Sequence, residues 1–311
     1  MSVARNVLLW ASRNKWLSHH FPRYRFAQAA VRRFMPGTNL DAALEAAQRL
    51  RPHGIGTVFT QVGENLATLD EARAEVDHYL GVFDRVAELS LGTQVSIKLT
   101  HLGLDIDPAA TTENLRTLAQ RAADRGTALF VDMEDSSYVD RTLDVFRSVL
   151  HTHGNLGLCL QSYLFRTETD LSDLLLETAA IRLVKGAYRE PAAVAFPKKA
   201  DVDRSYEQLG RMMLRAAADH PGKPKPVFGT HDIALLGRLA KFADAEGIAR
   251  DAWEIHMLYG IRSADQIRLA QAGHRVRVLI SYGEQWFPWY VRRLAERPAN
   301  IGFVLRSLVA R

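Results

Sequence analysis

Ala128-Leu-Phe-Val-Asp-Met133, a helical pattern over Val139 to Leu150, a glycine at Gly154 and then Leu156-Gly-Leu-Cys-Leu160 form the stretch that decides the fold. A short apolar run, an amphipathic segment and a second short apolar run spell one strand–helix–strand unit. Continuous rather than alternating apolar runs predict strands covered on both faces. The same unit extends in both directions. Runs at Thr57–Val62, Val95–Leu99, Ile181–Val184, Pro226–Phe228, Trp253–Met257 and Val276–Ile280 complete eight strands. Between them lie helical patterns at Leu66–Leu89, Thr111–Arg125, Asp170–Ala180, Ser205–Asp219, Ile233–Glu246 and Ser263–Ala272. Gly126, Gly154, Gly247 and Gly273 stand where helix ends are wanted. Eight repeats of strand and helix predict an α/β fold, a (βα)8 TIM-like barrel.

Ahead of the barrel, apolar residues recur at helical spacing in Val3–Leu17, Phe21–Phe34 and Leu40–Leu50, with Thr38-Asn39 available to cap the third helix. The predicted division is an N-terminal helical segment, 1–52, and a barrel, 53–311. With 311 residues, 47% hydrophobic and 24% charged, the chain suits a large core and not a disordered one. Part of its net charge of +5 comes from Arg5, Arg13, Lys15, Arg23, Arg25, Arg32 and Arg33. Such a segment suits contact with anionic lipid, or simply a solvated helix face. A nucleic-acid module would need aromatics interleaved on a basic face, and none is seen. One cysteine, Cys159 in an apolar run, reads as a buried thiol in a reducing compartment. Without a secretory signal or a long apolar stretch, the expected setting is cytoplasmic, with at most peripheral contact at the inner face of the cell membrane.

Barrel active sites lie at the C-terminal strand ends. In order these ends carry Glu64, Lys98, Asp132-Met133, Gln161, the run Arg182-Leu-Val-Lys-Gly-Ala-Tyr188, Thr230-His231, His256 to Tyr259, and Tyr282 followed by Arg292 and Arg293. Paired guanidiniums suit capture of a small carboxylic acid, the plain alternative being a basic helix face. Lys98 and Asp132, on neighbouring strands, are expected to pair. Lys185 or Lys98 could serve a Schiff-base aldolase. His231 suits phosphate or ribityl oxygens, or a hydrogen-bonded core position. No metal set emerges: His151 and His153 read as surface, and Glu134-Asp135-Ser136 as a helix cap. No G-x-G-x-x-G opens a helix after a strand, so no Rossmann fingerprint holds a dinucleotide.

These motifs resemble proline dehydrogenases from roughly Gly54 to Leu308. The resemblance rests on Ser-Ile-Lys98-Leu, Val-Asp132-Met-Glu-Asp-Ser, Leu-Gln161-Ser-Tyr, Arg182-Leu-Val-Lys-Gly-Ala-Tyr188, Thr230-His231-Asp232, Leu258 ahead of Tyr-Gly, and Tyr290-Val-Arg-Arg-Leu-Ala-Glu296. It is that of a short, monofunctional bacterial member without a fused aldehyde dehydrogenase. The resemblance implies non-covalent FAD, oxidation of L-proline to Δ1-pyrroline-5-carboxylate by hydride transfer to flavin N5, and electrons passed to membrane quinone. It implies that Arg292 and Arg293 clamp the proline carboxylate with Lys98, which Asp132 orients. Leu258 would pack on the ring, and Glu64 would pair with Arg292. Arg182 would sit near flavin N5, and Met133 and Gln161 on the isoalloxazine. Val184, Lys185, Gly186, Ala187, Thr230 and His231 would hold the rest of the cofactor, with Glu296 bracing the site. One departure is Leu279, where many members carry a tyrosine lining the ring; it leaves hydroxyproline as an alternative substrate. Arg189 and His256 stand where others often carry Trp and Gln.

Overall fold

The computed structural model describes residues 33–63, 66–177, 179–219 and 224–287. Eight parallel strands close on themselves in sequence order: β1 (Gly56–Gln61), β2 (Gln94–Lys98), β3 (Leu129–Asp132), β4 (Leu156–Gln161), β5 (Ala180–Val184), β6 (Val227–Gly229), β7 (Glu254–Leu258) and β8 (Arg275–Tyr282). The seam is a parallel β8–β1 ladder running from Gly56↔Arg277 to Gln61↔Tyr282. Every strand expected from the sequence is present.

Among the described residues the α-helices are α1 (Leu40–Leu50), α2 (Leu69–Glu88), α3 (Pro108–Asp124), α4 (Val139–Leu150), α5 (Thr167–Leu176), α6 (Lys199–Asp219), α7 (Ile233–Ala245) and α8 (Ser263–Gln271). Their starts follow from side chains that satisfy the open backbone N–H groups of a first turn. Asn39 accepts from Ala42 N at 3.0 Å to open α1. Thr68 and Glu71 form a reciprocal capping box on α2. Asp107 precedes Pro108 at the start of α3, and Asp232 accepts from Leu235 N at 3.1 Å to open α7. At the end of α3, Gly126 takes φ +65°, which lets Thr127 N reach back to Ala122 O at 2.9 Å. Helix α1 buries Ala43, Leu44, Ala46 and Ala47 and packs on β8 and β1, covering the seam. Of the two earlier helical patterns, only Arg33 and Phe34 at the end of the second are among the described residues, and they form a turn.

Outward strand positions are apolar and buried beneath the helices, among them Phe59, Ile97, Val131, Leu158, Ile181, Leu183, Ile255, Met257 and Val278. Inward positions alternate with these and are a different population. Along β2 the inner face carries Gln94, Ser96 and Lys98; along β7 it carries Glu254, His256 and Leu258. In an eight-stranded barrel the inner side chains stack in layers drawn from alternate strands. The strand registers put Val58, Phe130, Arg182 and His256 in one such layer. Natural barrels fill this space with branched apolar side chains; here half of that layer is basic.

Small residues make the room. A Cβ on Gly157 would come within 2.5 Å of the Phe130 ring. Gly157→Ala should therefore destabilise the fold by about 1–3 kcal/mol through overpacking. Gly154→Ala, facing open space, should be close to neutral. Thermal melts of the two variants against the parent check this.

Candidate active site

The sequence-predicted residues from β2 to β5 converge at the barrel mouth. Lys98 closes β2 in register with Asp132, which closes β3. Gln161 ends β4 as the partner of Val184 on β5. Met133 and Gln161 are buried, and Gln161 Nε2 donates to Met133 O at 3.4 Å. From the other side Leu258 and Leu279 are register partners on the inner faces of β7 and β8. The mouth thus has a charged and amide-bearing half and an apolar half.

Arg182 is only 3% exposed, and everything nearby is arranged around its charge. Its Nη2 donates to the Asp132 carboxylate and, at 2.7 Å, to Ser96 Oγ. The Phe130 ring lies beneath the guanidinium, 4.9 Å from centroid to Cζ. Cys159, its register partner on β4, is buried and free, as expected from the sequence, and lies beside the same guanidinium. Burial opposes the charge on Arg182, but the Asp132 carboxylate outweighs it and raises the pKa above the usual arginine value. The Cys159 thiol is pushed up by burial despite Arg182. Sequence reasoning pairs Asp132 with Lys98; the structure pairs Asp132 with Arg182 across β4. Lys98 acts on Glu134, whose carboxyl burial pushes up and the Lys98 charge pulls down. That carboxylate also accepts from Thr100 Oγ1 at 3.0 Å.

Beyond β5, Lys185 Nζ lies 2.5 Å from Asp203 Oδ1 and 2.8 Å from Asp232 Oδ2. Burial works against both carboxylates, yet hydrogen bonds from Lys185 hold them below the usual range. An ammonium gripped by two carboxylates is the reverse of the setting that activates a Schiff-base amine. Gly186 has φ +108°, and a Cβ there would strike the Tyr163 ring at 2.3 Å, so the chain passes that ring as bare backbone. Ala187 follows it, half-buried. After β6, Thr230 is buried and accepts from Asp232 N at 3.2 Å. His231 Nε2 accepts from Leu258 N at 2.8 Å, which places the neutral ring's proton on Nδ1 and ties Leu258 to β6. Asp135 caps a short 3-10 turn ahead of α4 through Ser137 N at 3.0 Å. Among the described residues no His, Cys, Asp and Glu cluster could hold a metal. Glu64, Arg292, Arg293 and Glu296 lie outside the described residues.

Several inner residues escaped the sequence reading: Ser96, Phe130, Glu254 and Arg277. The signal was alternation inside the strands, as in Gln94-Val-Ser-Ile-Lys98, Glu254-Ile-His-Met-Leu258 and Arg275-Val-Arg-Val278. At the barrel floor Glu254 accepts from Arg275 Nε at 3.2 Å and Arg277 Nε at 3.1 Å, and lies 3.3 Å from His256 Nε2. Burial opposes its charge, but the His256 hydrogen bond and the arginines bring its pKa down to about 2. Burial lowers His256 to about 4, against the pull of Glu254, so the imidazole is neutral.

A closed parallel barrel with a charged mouth defines an enzyme of the barrel class whose chemistry sits above the strand ends. The proline dehydrogenase family profile matches residues 43–306. "Proline dehydrogenase 2" of Bacillus subtilis subsp. natto is 33% identical over 308 residues, covering 99% of each chain. "Proline dehydrogenase" of Deinococcus radiodurans is 36% identical over 282 residues, covering 89% of each. Among solved structures, proline utilization A from Bdellovibrio bacteriovorus, inactivated by N-propargylglycine, aligns with a TM-score of 0.80 at 22% identity. That alignment covers 94% of this chain and 36% of the larger protein, and it speaks to the fold alone. This chain belongs to the proline dehydrogenase family.

The pKa shifts at the floor set a pH dependence. Unfolded, the His256 imidazole protonates near its ordinary 6.5, in the fold only near 4. The unfolded chain therefore binds more protons between these values, and stability is lost as pH falls from 6.5 toward 4. Glu254, depressed from 4.5 to about 2, adds a further loss between those values. Acid titration followed by circular dichroism should show falling stability from pH 6.5 downward, and His256→Gln should flatten the section between 6.5 and 4.

Proposed function

We propose that this proline dehydrogenase oxidises L-proline to Δ1-pyrroline-5-carboxylate by hydride transfer to N5 of non-covalently bound FAD, and that the electrons pass to a quinone. The observation that carries this reading is the Asp132–Arg182 pair at the mouth, a buried fixed cation beside an apolar wall of Leu258 and Leu279.

The residues present fit a flavin. Gln161 Oε1 is buried with no hydrogen-bond partner, at a strand end where a ring N–H could meet it. Gly186, held at φ +108° against the Tyr163 ring, presents bare backbone just beyond the end of β5. Met133 and Gln161 would contact the isoalloxazine, with Arg182 near N5. Val184, Lys185, Gly186, Ala187, Thr230 and His231 would hold the remainder, braced by Glu296. When bound, FAD supplies the two-electron acceptor that no side chain can provide.

The chain's own residues do the rest. Arg292 and Arg293 clamp the carboxylate with Lys98, fixing which C–H faces the acceptor. Leu258 packs on the ring and helps exclude water, with Glu64 closing the pocket onto Arg292. Asp132 and Arg182 share a buried charge pair, and the guanidinium would supply a fixed positive charge beside the flavin. The substrate must reach the site with a neutral nitrogen, and positioning matters more than a dedicated base. Lys185, committed to Asp203 and Asp232, serves the cofactor side and not an aldolase.

Supporting a second reading, Leu279 faces the interior beside Leu258, and space at that slot suits a hydroxylated ring. The ratio of kcat/KM for proline and hydroxyproline decides between them. In this proposal the barrel, 53–311, follows a helical segment, 1–52, in a cytoplasmic enzyme with peripheral contact at the inner face of the cell membrane. No helix among the described residues is long and apolar enough to cross a membrane.

Purified protein should be yellow, and anaerobic L-proline should bleach its visible absorbance; a colourless protein that takes up no added FAD would overturn the reading. Arg292→Ala and Arg293→Ala should each raise KM for proline by about 10-fold or more with flavin retained. Steady-state kinetics with a flavin count checks this, and normal proline affinity in both variants would remove the clamp.

A further inference from the structure

Below the mouth, the barrel interior holds a second polar array that the reaction as described does not use. Glu254 at the floor receives Arg275, Arg277 and His256, and Arg277 Nη1 also donates to Gly92 O at 3.0 Å. With Glu254 ionised and His256 neutral, the imidazole donates from Nε2 to the carboxylate. Its Nδ1 is then an acceptor. That atom is sealed from solvent and has no partner.

The registers Arg182↔Val227 and Val227↔Glu254 lead from Arg182 to Glu254, and the stagger between alternate strands brings the next inward residue of β7, His256, level with Arg182. Its Nη2 is committed to Asp132 and Ser96, but its Nη1 is a donor that is likewise sealed and without a partner. The two side chains flank one ring: Phe130 lies 4.9 Å from the Arg182 Cζ and 5.9 Å from the His256 centroid. Between β5 and β7, Gly229 of β6 sends no side chain inward. One orphaned donor and one orphaned acceptor in a single layer each carry a desolvation cost unless satisfied. Buried waters occupy such positions, where polar groups converge.

We propose that an internal water bridges Arg182 Nη1 and His256 Nδ1, which makes His256 a positioning residue tying the guanidinium to Glu254 at the barrel floor. Arg182 is thereby held by Asp132 above and, through the imidazole in its own layer, by Glu254 below, and its plane is fixed relative to the mouth. The consequence for catalysis rests on the placement of Arg182 beside the flavin; the water itself does not.

Two measurements test this. A crystal structure of the purified enzyme should show a water within about 3 Å of both nitrogens. A dry gap, or direct contact between the two side chains, overturns the proposal. His256→Gln keeps an amide N–H for Glu254 and an oxygen for the water, whereas His256→Leu keeps neither. The leucine variant should lose about 10-fold in kcat with KM for proline changed less than about 3-fold, the signature of an interaction felt in the transition state. Its flavin midpoint potential should fall by about 30 mV, the equivalent of tenfold for a two-electron couple. The glutamine variant should recover both. Unchanged potential and kcat in the leucine variant, or no recovery with glutamine, overturns the positioning role. If the leucine variant fails to fold, the glutamine variant decides: parent-like potential with the water retained supports the proposal, and loss of both overturns it. A protein that binds no flavin would sink the flavin reading, while its crystal structure would still decide the water.

Discussion

A guanidinium buried in the middle of the barrel is the constraint on which the rest of the site depends. An ion taken out of water is tolerated only when paired and hydrogen-bonded. Arg182 answers that demand with groups from two other strands, Ser96 on β2 and Asp132 on β3. The inner face must also give it space, so glycines at 157 and 229 stand where branched residues would otherwise fill the core. The Phe130 ring lies over Gly157 and beneath the cation, filling the gap with apolar surface that still favours positive charge.

With that charge in place, the mouth divides by chemistry. Strands β2 to β5 end in Lys98, Asp132 and Gln161, while β7 and β8 bring Leu258 and Leu279 together. A small amino acid has the same division, a carboxylate at one end and a hydrocarbon ring at the other. Membership of the proline dehydrogenase family agrees with this polarity. The Lys185 cluster with Asp203 and Asp232 stands apart from it, at the start of the β5–α6 connection.

The fold was largely legible because its strands are short, apolar and evenly spaced, and because the helix starts carry Asn39, Thr68, Asp107 and Asp232 as caps. Lys98, Asp132, Gln161 and Arg182 were legible as polar residues where apolar runs stop. Their partners were less so. Adjacency of β2 and β3 suggested Lys98 for Asp132, yet a long arginine rooted one layer deeper reaches the carboxylate across β4. The polar floor was hidden in runs counted as apolar: Ile255 and Met257 point outward under the helices while Glu254 and His256 point in.

By itself the sequence determined the order of elements, the parallel closed sheet they must form and the polar residues set at its strand ends. Local signals suffice for that, since periodicity and capping act within a few residues. The tertiary structure alone decided which charges meet. Ion pairing depends on the stagger of strands around a closed barrel, and that stagger places Arg182 level with Phe130 and His256, beneath Asp132 and above Glu254.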